Sequence, residues 1–149
     1  MMLEKPDKRM QLLGLWYSKL QNIANNLNTI SQKHDISFEQ FLVLEQIIEE
    51  DRNSPSELAA FFKTSMPAVS RKLNILQTKK LIHKIRGEQE DQRLMWVTVT
   101  PEGTEIYERI RAELVNWSDQ LNSKDVNLMS DVNQYLSRLG QQTEINQAN

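Results

Sequence analysis

Apolar residues near the start of the chain recur at alternating spacings of three and four positions. They are Leu13, Trp16, Leu20, Ile23, Leu27 and Ile30. This spacing places the side chains on one face of a helix, as in the a and d positions of a coiled coil, and predicts a helix over about residues 7–33. Such a helix is much longer than the average of roughly 11–12 residues. Polar residues, including several asparagines, fill its other face.

Two capping boxes divide the middle of the chain into helices. In this motif a serine or threonine and a Glu or Gln three positions later bond to the free amides at a helix start. Ser37 and Gln40 open a helix that extends to about residue 50. Ser54 and Glu57 open a second, short helix over about residues 55–62. The sequence therefore predicts two successive helices with well-defined starts.

A third helix, capped by Thr64 or Ser65, extends to about residue 79. Its apolar and polar positions fall on opposite faces. The inward set is Val69, Leu73 and Leu76, and the outward set is Pro67, Ser70, Arg71, Asn74 and Thr78. Serine, arginine and asparagine are side chains that reach base edges and phosphates in DNA. A polar face opposite a core stripe is usually only solvated, but the position of this helix after a turn and before two strands favours DNA contact.

Residues 82–86 and 94–100 are strand-like, and the loop between them is too long for a two-residue hairpin turn. Helix, turn, helix and a strand pair together predict a winged helix-turn-helix. Arg93, at the end of the loop, can reach a narrow minor groove, where negative potential is concentrated. Alternatively, Arg93 pairs with Asp91 and shapes the loop; the two roles are compatible. The loop carboxylates Glu88, Glu90 and Asp91 oppose an approach to phosphate.

Two more apolar stripes follow near the end of the chain. One comprises Ile110, Leu114, Trp117 and Leu121, the other Leu128, Val132, Leu136 and Leu139, and Ser123 between them is the predicted N-cap. The predicted fold is mostly α with a small β-wing: a winged helix-turn-helix lobe over 37–100, and a helical lobe from the N- and C-terminal segments 7–34 and 101–140. These helices could form a bundle within one chain or a dimer interface. We favour the dimer, because a winged helix alone does not need such long helices.

Charge is distributed unevenly along the chain. Residues 63–93 hold eight basic and three acidic residues, a net charge of +5, while the rest of the chain has a net charge of −7. Because phosphate binding depends on the local field, the whole-chain charge of −2 is weak grounds against a nucleic-acid partner. The candidate DNA-contacting residues are Ser65, Pro67, Ala68, Ser70, Arg71, Lys72, Asn74, Arg86 and Arg93.

Several other function classes find no support. Without cysteine, disulfides, thiolate metal sites and cysteine-based redox sensing are excluded. His34 and His83 are the only histidines, so we expect neither a metal site nor a cofactor. No catalytic motif is present, and we expect no enzymatic activity. The N-terminus lacks an apolar signal region and no stretch approaches 18 apolar residues, which predicts a cytoplasmic protein.

The chain resembles the MarR family of bacterial transcriptional regulators. The resemblance is carried by residues 56–60 (SELAA), 68–73 (AVSRKL), 79–82 (KKLI), 91–93 (DQR) and 97–103 (VTVTPEG). It covers about residues 7–140, and its most specific part is the D-x-R wing followed by a strand and T-x-x-G. The sequence departs from the family pattern at Lys80, where a glycine is usual.

The resemblance implies a winged-helix dimer joined through its first and last helices, with residues 65–79 as the recognition helix and Arg93 in the wing. It implies repression from a pseudo-palindromic operator on double-stranded DNA. A small aromatic or lipophilic effector is also implied, and Trp16, Tyr17 and Leu20 could line its crevice, although aromatics at helical spacing are more often core. The alternative function is a winged-helix module for protein–protein interaction. Such a module would expose apolar residues on the recognition helix, where Met66 is the only candidate.

Overall fold

The computed structural model describes residues 6–87 and 95–147, with side chains over 8–87 and 95–141. Within these ranges it contains six helices and one hairpin, as the mostly helical fold class predicts. The elements are α1 (Pro6–Gln32), α2 (Phe38–Glu50), α3 (Pro55–Phe62), α4 (Met66–Thr78), β1 (Ile82–Arg86), β2 (Met95–Val99), α5 (Pro101–Ser118) and α6 (Ser123–Gln147). The chain forms two compact units, divided between Arg111 and Ala112. None of the described helices is both long and apolar enough to cross a membrane.

The helix starts follow from local capping. Ser37 Oγ accepts from the Gln40 amide at 3.1 Å, and Gln40 Oε1 accepts from the Ser37 amide at 3.0 Å. Ser54 and Glu57 form the same reciprocal pair at the start of α3. Of the two alternatives for α4, Ser65 is the cap, and its Oγ accepts from the Ala68 amide. Each pair lies within four residues, so sequence alone was sufficient to predict the first two starts, and it left Thr64 and Ser65 as alternatives for the third.

The predicted cap of α6 at Ser123 is wrong by one residue. Ser123 is the first residue of the helix, and the hydrogen bonds of Asn122 make it the cap. Asn122 Oδ1 accepts from the Asp125 amide at 2.9 Å, and Asp125 Oδ2 accepts from the Asn122 amide at 3.0 Å. The carboxylate three residues ahead makes this cap reciprocal, because the Asn122 side chain satisfies the Asp125 amide and the Asp125 side chain satisfies the Asn122 amide.

The core of the first unit forms where α2, α3, α4, α5 and the hairpin meet. Its fully buried side chains include Leu44, Leu58, Leu73, Leu76, Ile82, Val97, Tyr107 and Ile110. Tyr107 stacks on Phe41 with ring centroids 5.4 Å apart, and its hydroxyl donates to Glu49 at 2.7 Å. Burial and this carboxylate both raise the pKa of Tyr107, so it remains a neutral donor.

The hairpin is antiparallel, with Ile82 opposite Val99 and Lys84 opposite Val97. The amide of Val97 also donates to the carbonyl of Asn53 at 2.7 Å, which ties β2 to the segment before α3. Because Ile82 and Val97 are buried, one face of the hairpin packs on the helices. The sheet therefore has a set position relative to the helix-turn-helix.

Candidate nucleic-acid interface

Helix α4 separates its residues cleanly between core and surface. Val69, Leu73 and Leu76 are all buried at 1% exposure or less, and they fix the rotation of the helix. The outward face exposes Pro67, Arg71, Asn74 and Thr78, and Ser70 on the same face is half-buried. The structure thus brings the predicted outward set together on one surface about 17 Å long, given 1.5 Å per helical residue.

Three other candidates, on α4 or at its cap, are less available for contact with DNA. Ser65 is exposed, but its hydroxyl oxygen already accepts from the Ala68 amide as the helix cap. Ala68 is half-buried. Lys72 is turned toward α2: its Nζ lies 3.1 Å from Glu39 Oε2 and 6.0 Å from the centroid of the Phe62 ring. The Lys72 ammonium is therefore already paired with a carboxylate of the same chain, and it would have to leave that carboxylate to contact a phosphate.

Asn74 is contacted from the wing. The ammonium of Lys84 on β1 donates to Asn74 Oδ1, ten residues earlier in the chain. Lys84 belongs to the basic segment of the sequence, but no local pattern indicated that it would touch the outward face of α4. The Thr78 hydroxyl donates to the Asn74 backbone carbonyl at 2.9 Å, so its proton is already used in a hydrogen bond within the helix.

The wing carries one described candidate. Arg86 is exposed at the end of β1, opposite Met95. Arg93 and the loop carboxylates Glu88, Glu90 and Asp91 lie outside the described residues. At the far end of α4, the Lys79 ammonium donates to the Asp35 carbonyl, which ties the end of the helix to the segment before α2.

The surface near α4 is more apolar than the sequence suggested. Besides Met66, both Ile75 and Phe61 are exposed. Phe61 is partly sheltered, because the Arg52 guanidinium lies 4.5 Å from its ring centroid. The expectation that Met66 is the only exposed apolar side chain here was wrong, since Ile75 lies between the inward and outward faces of the helix.

The candidate effector residues Trp16, Tyr17 and Leu20 are all exposed on α1. Two grooves along α1 have other linings. One, of about 270 Å³, is lined by Lys8, Gln11, Leu12 and Leu15. The other, of about 370 Å³, lies against the start of α2 and is lined by Gln21, Ala24, Asn25, Asn28, Ser37, Phe38 and Glu39. An effector crevice at Trp16 remains a prediction. Over the described ranges, no cluster of three or more His, Asp or Glu side chains could hold a metal ion.

Known proteins share this architecture. A family model described as "Transcriptional regulator SarA/Rot" matches residues 25–110. An uncharacterised HTH-type transcriptional regulator of Staphylococcus aureus is 25% identical over 117 residues, covering 72% of this chain and 80% of the relative. The crystal structure of a MarR family transcription regulator is 22% identical with a TM-score of 0.74, covering 95% of this chain and 96% of that one. A mutant MarR from E. coli in complex with operator DNA is 20% identical with a TM-score of 0.70, covering 89% and 99%. The winged-helix fold implied by the resemblance to MarR regulators is confirmed.

Proposed function

Since this chain belongs to the SarA/Rot family of transcriptional regulators, we propose that it binds double-stranded DNA as a homodimer, with α4 in the major groove. The observation that carries the proposal is the outward face of α4, where Arg71 and Asn74 are exposed opposite a fully buried stripe. A major groove about 12 Å wide admits one helix. Arginine and asparagine are the side chains that pair with base edges there.

The charge of the surrounding surface supports the same orientation. Arg71, Lys79, Lys80 and Arg86 are exposed on α4, the turn after it and β1. Phosphate contacts from such side chains supply affinity without sequence preference, and they set the register of the helix in the groove. Arg93 would add a contact to the adjacent minor groove, as arginine does where that groove is narrow.

A dimer would present two copies of α4 to two half-sites. For such readers the half-sites are one helical turn of DNA apart, about 34–36 Å, so the operator would be pseudo-palindromic. Occupying such a site at a promoter would repress transcription by excluding polymerase. A small aromatic or lipophilic effector near Trp16, Tyr17 and Leu20 would act on the dimer geometry.

The test is binding to labelled DNA upstream of its own gene, followed by fluorescence anisotropy at several salt concentrations. We expect Arg71→Ala to weaken binding to this DNA by about 1–3 kcal/mol and to leave binding to random DNA much less affected. Arg109→Ala is the matched control, because Arg109 is an exposed arginine on another helix, α5, where it pairs with Glu105 at 2.5 Å. An unchanged ratio of specific to random binding for Arg71→Ala would contradict a base-reading role.

The second candidate function is a protein-binding module, favoured by the exposed Met66, Ile75 and Phe61. A module of this kind would show no preference among DNA sequences. Replacing Ile75 by Ser should then abolish partner capture, whereas a DNA reader should retain its sequence preference.

A further inference from the structure

We propose that Lys84 is a specificity-determining positioning residue: its ammonium holds the side chain of Asn74 so that only the amide NH₂ group faces the DNA. The inference rests on the proposed function, in which the outward face of α4 reads the major groove. It assigns to a wing-strand lysine a role in selecting a base, in place of the phosphate contact expected of a basic side chain.

The hairpin register sets the direction of Lys84. Side chains alternate between the faces of a strand, and Lys84 is flanked at positions i−2 and opposite by the buried residues Ile82 and Val97. Lys84 thus leaves β1 on the face that packs against α4. Its stem is half-buried, and its ammonium ends at Asn74 Oδ1.

The chemistry of the pair decides which end of the amide is held. A lysine ammonium has three donors and no acceptor, so only the amide oxygen of Asn74 can face it. A hydrogen bond with one charged partner is roughly twice as strong as a neutral one. The contact therefore selects one of the two amide orientations and leaves the NH₂ group of Asn74 directed away from the wing.

The held orientation changes what Asn74 can read. An unconstrained asparagine pairs with adenine through both its oxygen and its NH₂ group, to N6 and N7 respectively. Because the contact turns the amide oxygen toward Lys84, Asn74 presents the donors of its NH₂ group to DNA, and these suit base edges rich in acceptors. In the major groove these are N7 and O6 of guanine and O4 of thymine. We expect the position read by Asn74 to prefer guanine or thymine over adenine.

The experiment selects binding sites from a randomised double-stranded DNA pool with the intact protein and its variants. The wild-type protein should enrich guanine or thymine at one position of each half-site, and Asn74→Ala should lose that preference by about 10-fold, within the range of a single base contact. Lys84→Met keeps the stem and removes the donor, so it should lose the same preference. The double variant should be no worse than either single variant, and Lys84→Arg should restore discrimination. Lys79→Met removes the same charge near the end of α4; because Lys79 is expected to contact phosphate, this variant should weaken binding to all sequences alike and preserve the preference.

Folding is checked by thermal melting and by the NMR signals of the Asn74 side-chain NH₂ group in the free protein. Those signals should move in Lys84→Met and stay in place in Lys79→Met. The inference is overturned if the Asn74 signals are unchanged in Lys84→Met, or if Lys84→Met weakens binding to all sequences by the same factor. It is also overturned if the effects of Asn74→Ala and Lys84→Met on the preference are additive in the double variant. A wild-type protein that enriches no sequence would instead overturn the proposed function, and the inference with it.

Discussion

At the scale of single residues, Lys80 and Thr100 connect the end of α4 to the base of the wing and the start of α5. Lys80 has a φ of 61°, in the left-handed region. Its carbonyl accepts from the Thr100 hydroxyl at 2.8 Å, and the carbonyl of Leu81 accepts from the Thr100 amide. Thr100 also accepts from the amide of Gly103. Two chain segments twenty residues apart are thereby held together at the base of the wing.

Replacing Gly103 with alanine should destabilise the fold. A Cβ at this position would lie 2.2 Å from the Leu81 carbonyl oxygen and 2.7 Å from Val99 Cγ1, and the first of these is backbone. Overpacking of this kind costs about 1–3 kcal/mol, which thermal denaturation would show as a lower Tm. Gly14→Ala is the control: nothing lies within 4 Å of its Cβ, and alanine in a helix interior should raise stability by about 1 kcal/mol. Equal stability of the two variants would contradict the close approach.

Replacing Lys80 with glycine should stabilise the protein. A left-handed conformation costs a residue with a Cβ about 1–2 kcal/mol, and the greater freedom of glycine in the unfolded chain offsets part of that gain. We expect a net increase of about 0.5–1 kcal/mol in the free energy of unfolding, measured in urea. Lys79→Gly removes the same charge at a φ of −79° and should lower stability. If both variants are less stable, the contacts of the Lys80 side chain stabilise the protein by more than its left-handed backbone conformation costs.

At the scale of elements, α2 binds a side chain of α4 that we expect to contact DNA. Lys72 pairs with Glu39 at 3.1 Å, and the lysine side chain is 27% exposed while the carboxylate is 72% exposed. An exposed pair of this kind contributes little to stability. It does, however, hold the ammonium toward α2 and away from the outward face. We therefore propose that Glu39, a residue outside the helix-turn-helix, lowers the affinity of this surface for phosphate.

Glu39→Gln should release Lys72 and strengthen binding to all DNA sequences at low salt. Because one more phosphate contact becomes available, the slope of log affinity against log salt should steepen by about 0.9. Glu105→Gln is the control, since Glu105 pairs with Arg109 on α5 and its removal changes the net charge equally. If both variants bind with the same affinity and slope, only the change in net charge matters and Lys72 makes no phosphate contact.

At the scale of the whole molecule, the apolar stripe of α1 stays exposed in the single chain. Leu13, Trp16, Leu20 and Ile23 are between 40% and 56% exposed. On α6, Leu128, Val132 and Leu136 are exposed as well. Exposed apolar stripes of this length mark interaction sites, and a second copy of the chain is the partner that we propose for each stripe.

Light scattering at low micromolar concentration should therefore report about twice the chain mass of 17.5 kDa. Leu20→Lys should shift the protein toward monomer, because a charge buried in an apolar interface without a partner is costly. Ile85→Lys is the control: Ile85 is 48% exposed and Leu20 is 49% exposed, but Ile85 lies on the wing. A wild-type monomer, or dissociation by both variants, would contradict a dimer formed through α1.

What the sequence determined by itself is local. The caps at Ser37 and Ser54, the bounds 82–86 of the first strand and the two faces of α4 depend on nearby residues or on the periodicity of side chains along the chain. For the cap of α4, the sequence narrowed the choice to Thr64 or Ser65, and the structure decided for Ser65. Such interactions leave a direct pattern of residue types. The same reasoning missed Asn122 by one position, because a reciprocal Asn–Asp cap lies outside the Ser/Thr pattern that was sought.

What only the tertiary structure decided is which distant side chains meet. Lys72 and Glu39 are on different helices, Lys84 reaches Asn74 across the gap between β1 and α4, and Gly103 lies against the Leu81 carbonyl. Sequence could place each of these residues on a helix or strand, but not against its partner. Such contacts depend on the rotation and separation of packed elements, and these are set by the close packing of the whole core, which no local pattern encodes.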